Sequence, residues 1–203
     1  ATTDGDFLIQ IHDATYGGGD EYFFRLENSS GPHVDFVSPQ IVSSFIGSEV
    51  TLYGRNLPES KPSGLKSVDG LSLEQLTVKF SDLIHGDRPG GVLLPPATAT
   101  LDGKVFRLPK GKFTSNPFFV GLCEGNSLTM EEGDNETADN AQKISDPGLV
   151  AGCFFPARDV DYFRFMIKKD EVYWLDIFSQ RLGKKTNPYI TVQLVGVAKD
   201  GKE

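Results

Sequence analysis

Apolar and polar residues alternate along short spans of this chain, with turn-forming residues between the spans. That two-residue rhythm predicts β-strands with one face buried. The segments "DFLIQIHD", "YFFRLE", "SEVTLYG", "LTVKFSD", "KVFRLP", "NPFFVGL", "DYFRFMI", "VYWLDIF" and "YITVQLVGV" all carry it. Helical periodicity is nearly absent: only "TADNAQKI", Thr137 to Ile144, predicts a turn of helix capped by Thr or Asp, too short to hold without tertiary support. The clearest pattern is a hairpin, "DVDYFRFMIKKDEVYWLDI". Its alternation places Phe163, Phe165 and Ile167 on the face expected to meet a core, with Val172, Trp174 and Leu175 packing near them from the return strand. Each large ring so buried removes on the order of 150–250 Å2 from water.

Punctuation divides the strands into three blocks. Residues 1–31 read as a hairpin around "YGGGDE", where Gly17, Gly18 and Gly19 can supply the positive φ of a tight turn. Residues 32–121 read as a small all-β unit interrupted by "HGDRPGGVLLPPATA", too long and too rich in Pro and Gly for a tight turn. Residues 122–203 open on the acidic linker "CEGNSLTMEEGDNETADN" and continue as a final strand set.

With 203 residues and 38% apolar content, the chain can bury a real core. Its 28 acidic and 20 basic residues give a net charge of -8, which disfavours nucleic acid as a partner. Lys168–Lys169 and Lys184–Lys185 read as solvated hairpin positions rather than a phosphate-binding patch. No run approaches the roughly 18 apolar residues of a membrane span, so membrane insertion is not expected. The opening "ATTDGDFLIQIHDATYGGG" lacks the grammar of a signal peptide and reads as mid-strand, so an internal piece of a longer polypeptide is expected. Cys123 and Cys153, the only two cysteines, cannot form a thiolate zinc cage; free thiols and one disulfide both stay open.

No catalytic pattern emerges. His12, His33 and His85 lie far apart and outside any H-E-x-x-H arrangement, and His12 reads as a surface or capping residue. The serines of "GLSLE" and "FIGSEV" lack the second glycine of a nucleophile elbow. Scattered carboxylates would suit a glycosidase only at a defined separation, which any acidic protein offers by chance. The glycines of "YGGGD" and "DRPGG" do not join a strand to a helix, so they are not a nucleotide loop. The chain is therefore expected not to be an enzyme. Tyr16, Tyr22, Tyr53 and Tyr189 are the candidates for an aromatic binding platform, against the plainer reading of half-buried sandwich residues.

The order of the motifs carries a resemblance. "EEGDNETADNAQKISDPGLVAGCFFPARDVDYFRFMIKKDEVYWLDIFSQRLGKKTNPYITV" resembles the start of a bacterial pre-peptidase C-terminal (PPC) domain. The family's usual pattern is an acidic "E-x-N" opening, an "A-Q-x-I" turn and a "D-x-D-Y-F-x-F" strand; the last two stand in this chain after an acidic opening, with Lys169–Asp170 where the family has lysine-glycine. "DGDFLIQIHDATYGGGDEYFFRLE" is similar to the closing hairpin of such a domain in multi-domain surface proteins of planctomycete-type bacteria. "VDFVSPQ" followed by "VTLYGRNL" resembles an immunoglobulin-like IPT/TIG module.

These resemblances imply an all-β fold: an immunoglobulin-like module plus a PPC-type, jelly-roll-like β-sandwich, with the N-terminal hairpin completing the C-terminal sandwich within one chain or as a strand-swapped homodimer. They imply an extracellular, periplasmic or cell-surface setting and a non-catalytic binding or scaffolding role. The alternative is an accessory domain that targets a secreted hydrolase to polysaccharide or protein. The residues themselves supply hard oxygen donors: Asp159 and Asp161 share a strand face or flank a turn, after an acidic stretch that includes Glu131, Glu132, Asp134, Asn135, Glu136 and Asp139. By resemblance to collagenase sandwiches that bind calcium, Glu132, Asn135, Glu136 and Asp161 would be the ligands, with Gly133 standing where another donor is wanted. The plainer alternative is a solvated acidic linker.

Overall fold

Val50 and Leu52 alternate with Thr51 and Tyr53 in "SEVTLYG", and this alternation becomes the centre of the protein. In the computed structural model, which describes residues 4–26, 28–43, 48–85, 102–123, 128–155, 157–182, 184 and 186–195, both side chains are fully buried. By its internal contacts the chain divides into two units, Ala1–Ser30 and Gly31–Glu203.

In the second unit, β1 (His33–Ser38), β2 (Ile41–Ser43), β3 (Glu49–Arg55), β4 (Lys61–Lys66) and β5 (Ser72–Lys79) precede a short helix, α1 (Phe80–His85). After it come β6 (Gly103–Phe106), β7 (Pro109–Lys110), β8 (Phe113–Thr114) and β9 (Phe118–Cys123). One sheet has the order β1-β3-β5-β4, all antiparallel; another has the order β2-β9-β6, with β2 parallel and β6 antiparallel to β9. Val34, Val37, Val50 and Leu52 of the first sheet share one core with Val42, Phe106, Phe118 and Val120 of the second, so the two form a sandwich. Phe80 meets Phe106 edge to face, with centroids 5.6 Å apart.

The span "LTVKFSD" departs from its strand expectation at Phe80. Phe80 and Leu83 are buried three residues apart, a helical spacing, and the Phe80 N–H donates to Ser48 O at 2.8 Å. At "TADNAQKI" only Ala138–Asn140 is helical, as a 3₁₀ turn with Thr137 Oγ1 accepting from Asn140 N. Gln142 then leaves it for a strand. The excursion "HGDRPGGVLLPPATA" lies, His85 apart, outside the described residues.

The remaining strands are short. β10 (Leu128–Met130) runs parallel to β12 (Leu149–Ala151), and β11 (Gln142–Lys143) runs parallel to β13 (Phe163–Arg164). No strand is found among the described residues beyond Arg164. The hairpin that the sequence placed against a core therefore stands open: Ile167, Val172 and Trp174 are exposed, Trp174 by 92%. Phe165 does find a ring, Tyr173, at 6.2 Å. The physical reason is the lack, among the described residues, of a sheet facing this hairpin. The fold class is all-β, with several sheets of the sandwich type. No described helix is long and apolar enough to cross a membrane.

The first unit contains two turns, closed by Tyr16 N donating to Asp13 O and Tyr22 N donating to Gly19 O, both at 3.0 Å. Asp13 caps the first through Thr15 and Gly17. The flanking arms are not assigned as strands.

Candidate metal centre

The parallel pairing of β10 with β12 and of β11 with β13 brings two acidic segments together. Glu131 follows β10, its N–H donating to Ala151 O at 3.0 Å, while its Oε2 accepts from Cys153 N at 2.6 Å. Tyr162 N donates to Asn135 O at 2.8 Å and Gln142 N to Tyr162 O at 2.9 Å, which hangs Asp161 beside the 131–135 turn. Asp159 closes its own turn by accepting from Phe155 N at 2.7 Å.

Glu131, Asp159 and Asp161 each place one carboxylate oxygen within 4.8 Å of the others. That spacing suits a hard cation with oxygen ligands at about 2.3–2.6 Å. Asp161 is pushed up to about 7 by burial first, then by a hydrogen bond to Glu131 and by the charges of Glu131 and Asp159; Asn135 lowers it in part. Without a cation the charges of Glu131 and Asp159 disfavour ionised Asp161, and a proton held on Asp161 and hydrogen-bonded to Glu131 relieves the repulsion.

Asn135 is almost wholly buried, 1% exposed. Its side chain lies close enough to Asp161 to lower that carboxyl's pKa by hydrogen bonding, yet Asn135 Nδ2 and Asp161 Oδ1 are each shielded from water without a partner of good geometry. A buried amide whose N–H groups are so poorly satisfied is costly. Turned over, the amide presents Oδ1 as a further neutral oxygen donor. The residues therefore fit a calcium-like ion by donor chemistry, with three carboxylates and an amide, and with waters to complete six to eight ligands.

Of the positions singled out by resemblance, Asn135 and Asp161 meet at this centre. Glu132 and Glu136 are exposed and stand outside the three-carboxylate group. Asp159 was visible in sequence as the neighbour of Asp161, and Glu131 only as a member of the acidic stretch before them.

Gln142 was passed over as a functional residue. It is buried; its Oε1 accepts from Glu132 N at 3.0 Å and its Nε2 donates to Met130 O at 2.8 Å, clasping the backbone on both sides of Glu131. Its signal in the sequence was its place in the "A-Q-x-I" turn.

The other candidates separate. His12 is exposed, stacked on Tyr16 at 4.7 Å. Tyr16, Tyr22 and Tyr189 are exposed, whereas Tyr53 stacks on Phe36 at 4.6 Å. Cys123, buried, and Cys153, exposed, are not joined in a disulfide, and the Cys153 pKa is raised chiefly by desolvation and then by Glu131. In comparisons with known proteins, no family profile matches this chain, and neither a curated protein nor a solved structure gives a significant match.

Proposed function

We propose that this chain is a non-catalytic, extracellular binding or scaffolding segment of a larger secreted or surface protein, and that its last block is locked by calcium. The observation that carries the calcium reading is the gathering of Glu131, Asp159 and Asp161 carboxylate oxygens within 4.8 Å of one another, with the buried Asn135 side chain beside Asp161. Glu131, Asp159 and Asp161 would hold the ion, with Asn135 as the neutral ligand. Its charge would replace the Asp161 proton and join the 131–135 turn to the 159–161 turn. The setting and the spacer role rest on the order of PPC-like and IPT/TIG-like motifs.

Thermal unfolding in millimolar calcium and in chelator tests this. A ligand that binds only the folded form raises its stability by about 2.7 kcal/mol at a hundredfold excess over Kd. A clear rise in Tm that magnesium does not reproduce supports the reading; coincident melting curves sink it.

The exposure of Tyr16, Tyr22 and Tyr189 favours a second reading, an accessory domain that presents rings to a polysaccharide or protein. Co-sedimentation with insoluble polysaccharides, lost on replacing these tyrosines by alanine, would support it over a pure spacer.

A further inference from the structure

The turn that follows β11 and the arm that follows β13 are the two walls of a cleft. Ile144 N donates to Arg164 O at 3.0 Å, which sets the 144–148 turn beside Phe165 at the end of the β11–β13 pairing. The turn holds its own shape: Ser145 Oγ donates to Pro147 O at 3.2 Å, and a Cβ on Gly148 would run into Ser145 O. On the arm, Tyr173 Oη accepts from Lys168 N at 3.1 Å and donates to Glu171 Oε2 at 2.8 Å. Its ring is thereby held against Phe165, with centroids 6.2 Å apart and planes inclined at 52°. Between the walls lies about 330 Å3 of open space, lined by Ile144, Asp146, Phe165, Glu171, Tyr173 and Trp174 among others. That volume falls at the lower end of the roughly 300–1,000 Å3 of small-ligand sites.

The lining sets the charge of a ligand. It contains two carboxylates, Asp146 and Glu171, and neither a lysine nor an arginine. Glu171 is engaged by Tyr173 and by Lys168 Nζ at 3.7 Å, whereas Asp146 is exposed, with no hydrogen bond or ion pair among the described residues. Three rings, Phe165, Tyr173 and Trp174, line the same space, and Trp174 is 92% exposed. Aromatic faces attract cations, and a quaternary ammonium, with no N–H to satisfy, needs only rings and a counter-charge. Competing ligands need more: a primary ammonium brings three donors and a sugar several hydroxyls. The hydroxyls of Ser145 and Tyr173 and the carboxylate of Glu171, which would have to meet them, are already bonded within the walls.

We propose that this cleft binds a quaternary ammonium group of the choline type, with Phe165, Tyr173 and Trp174 around its methyl groups and Asp146 as its counter-charge. Such a site deepens the binding role proposed above and rests on it; the candidate metal centre contributes no residue to the cleft.

Trp174 is the sole tryptophan, so its fluorescence reports the cleft directly. The full chain is titrated with choline chloride against sodium chloride of equal ionic strength, and in parallel with ethanolamine and with the uncharged carbon isostere dimethylbutanol. The expected result is a saturable change in Trp174 emission at millimolar choline, with ethanolamine and the isostere each about tenfold weaker or more. By calorimetry, Trp174→Leu should weaken choline binding about tenfold and Asp146→Asn several-fold. Both positions are exposed, so an unchanged Tm confirms that each variant is folded. Phosphatidylcholine vesicles form a second arm: capture of the chain, competed by free choline, assigns the head group of a lipid, and choline binding without capture assigns a free compound. No saturable response to choline overturns the proposal. So does an equal response to the isostere or to ethanolamine, and so does an affinity that neither replacement moves. None of these outcomes alters the calcium-dependent melting or the tyrosine-dependent co-sedimentation, so this ligand and the proposed function fail separately.

Discussion

Gly152 offers no ligand atom, yet it governs where one lies. A Cβ at this position would sit 2.2 Å from Glu131 Oε2 and 2.9 Å from its carboxyl carbon. The clash is with the end of a flexible side chain, so Gly152→Ala should displace the carboxylate rather than unfold the chain. The expected stability change in chelator is within about 0.5 kcal/mol, as for an exposed substitution. Calcium affinity by calorimetry should fall at least tenfold, and unchanged affinity would remove Glu131 from the ligand set. Asp161 supplies a pH test with a definite sign. Its pKa is raised from 3.8 to about 7, so the folded form binds more protons than the unfolded one between those values. Stability from this group is present in full below about pH 4 and is lost as pH climbs through 7. In chelator, Tm should therefore decline across that window more in the native chain than in Asp161→Asn. Parallel profiles would mean that Asp161 does not hold this proton.

Strand β1 shows how a side chain can stand in for a neighbouring strand. Its pairing with β3 shifts register between Val34 and Phe36, and there Asn116 Oδ1 accepts from Val34 N at 2.7 Å while its Nδ2 donates to Val34 O at 2.8 Å. Asn116→Ala strips both partners from a buried residue, and a loss of about 1–3 kcal/mol in denaturant unfolding is expected; a loss below about 0.5 kcal/mol would show that water replaces the amide at no cost. Nothing in "TSNPFF" announces this role, since a lone Asn before Pro reads as a turn residue. By contrast β3, β6 and β9 were legible because Val50, Leu52, Phe106 and Val120 sit where a period of two puts them inside. β4 escaped notice because "KPSGLK" has a Pro, a Gly and little apolar content; it pairs with β5 as an exposed edge. The candidate centre, as a cluster of carboxylates, was half legible. Acidic composition marked the region, and Asn135 and Asp161 were chosen by resemblance. Bringing Glu131 to Asp159 and Asp161, however, depends on two parallel pairings between segments distant in sequence, which local periodicity does not report.

At the scale of the whole molecule, order is unevenly secured. The sandwich of β1–β9 has a continuous apolar core in which Val50, Leu52 and Val120 are wholly buried. The segment from Leu128 to Arg164 has two-residue and three-residue strands, and its buried side chains include the polar Asn135 and Gln142. Apolar burial at about 25 cal/mol per Å2 can hold the first region without help. The second has little such burial, and carboxylate repulsion at its centre works against it, a repulsion that the proposed cation would relieve. Local opening there should be much cheaper than global unfolding. Hydrogen exchange should then show amides of Val50, Leu52, Phe106 and Val120 equally slow in calcium and in chelator. Those of Glu131, Gln142, Ile144, Cys153 and Tyr162, all donors in the hydrogen bonds that frame the centre, should slow by at least tenfold only when calcium is present. Uniform slowing across both regions would instead mean that the two unfold as one cooperative unit, and the picture of a self-sufficient sandwich beside a cation-dependent one would have to be given up.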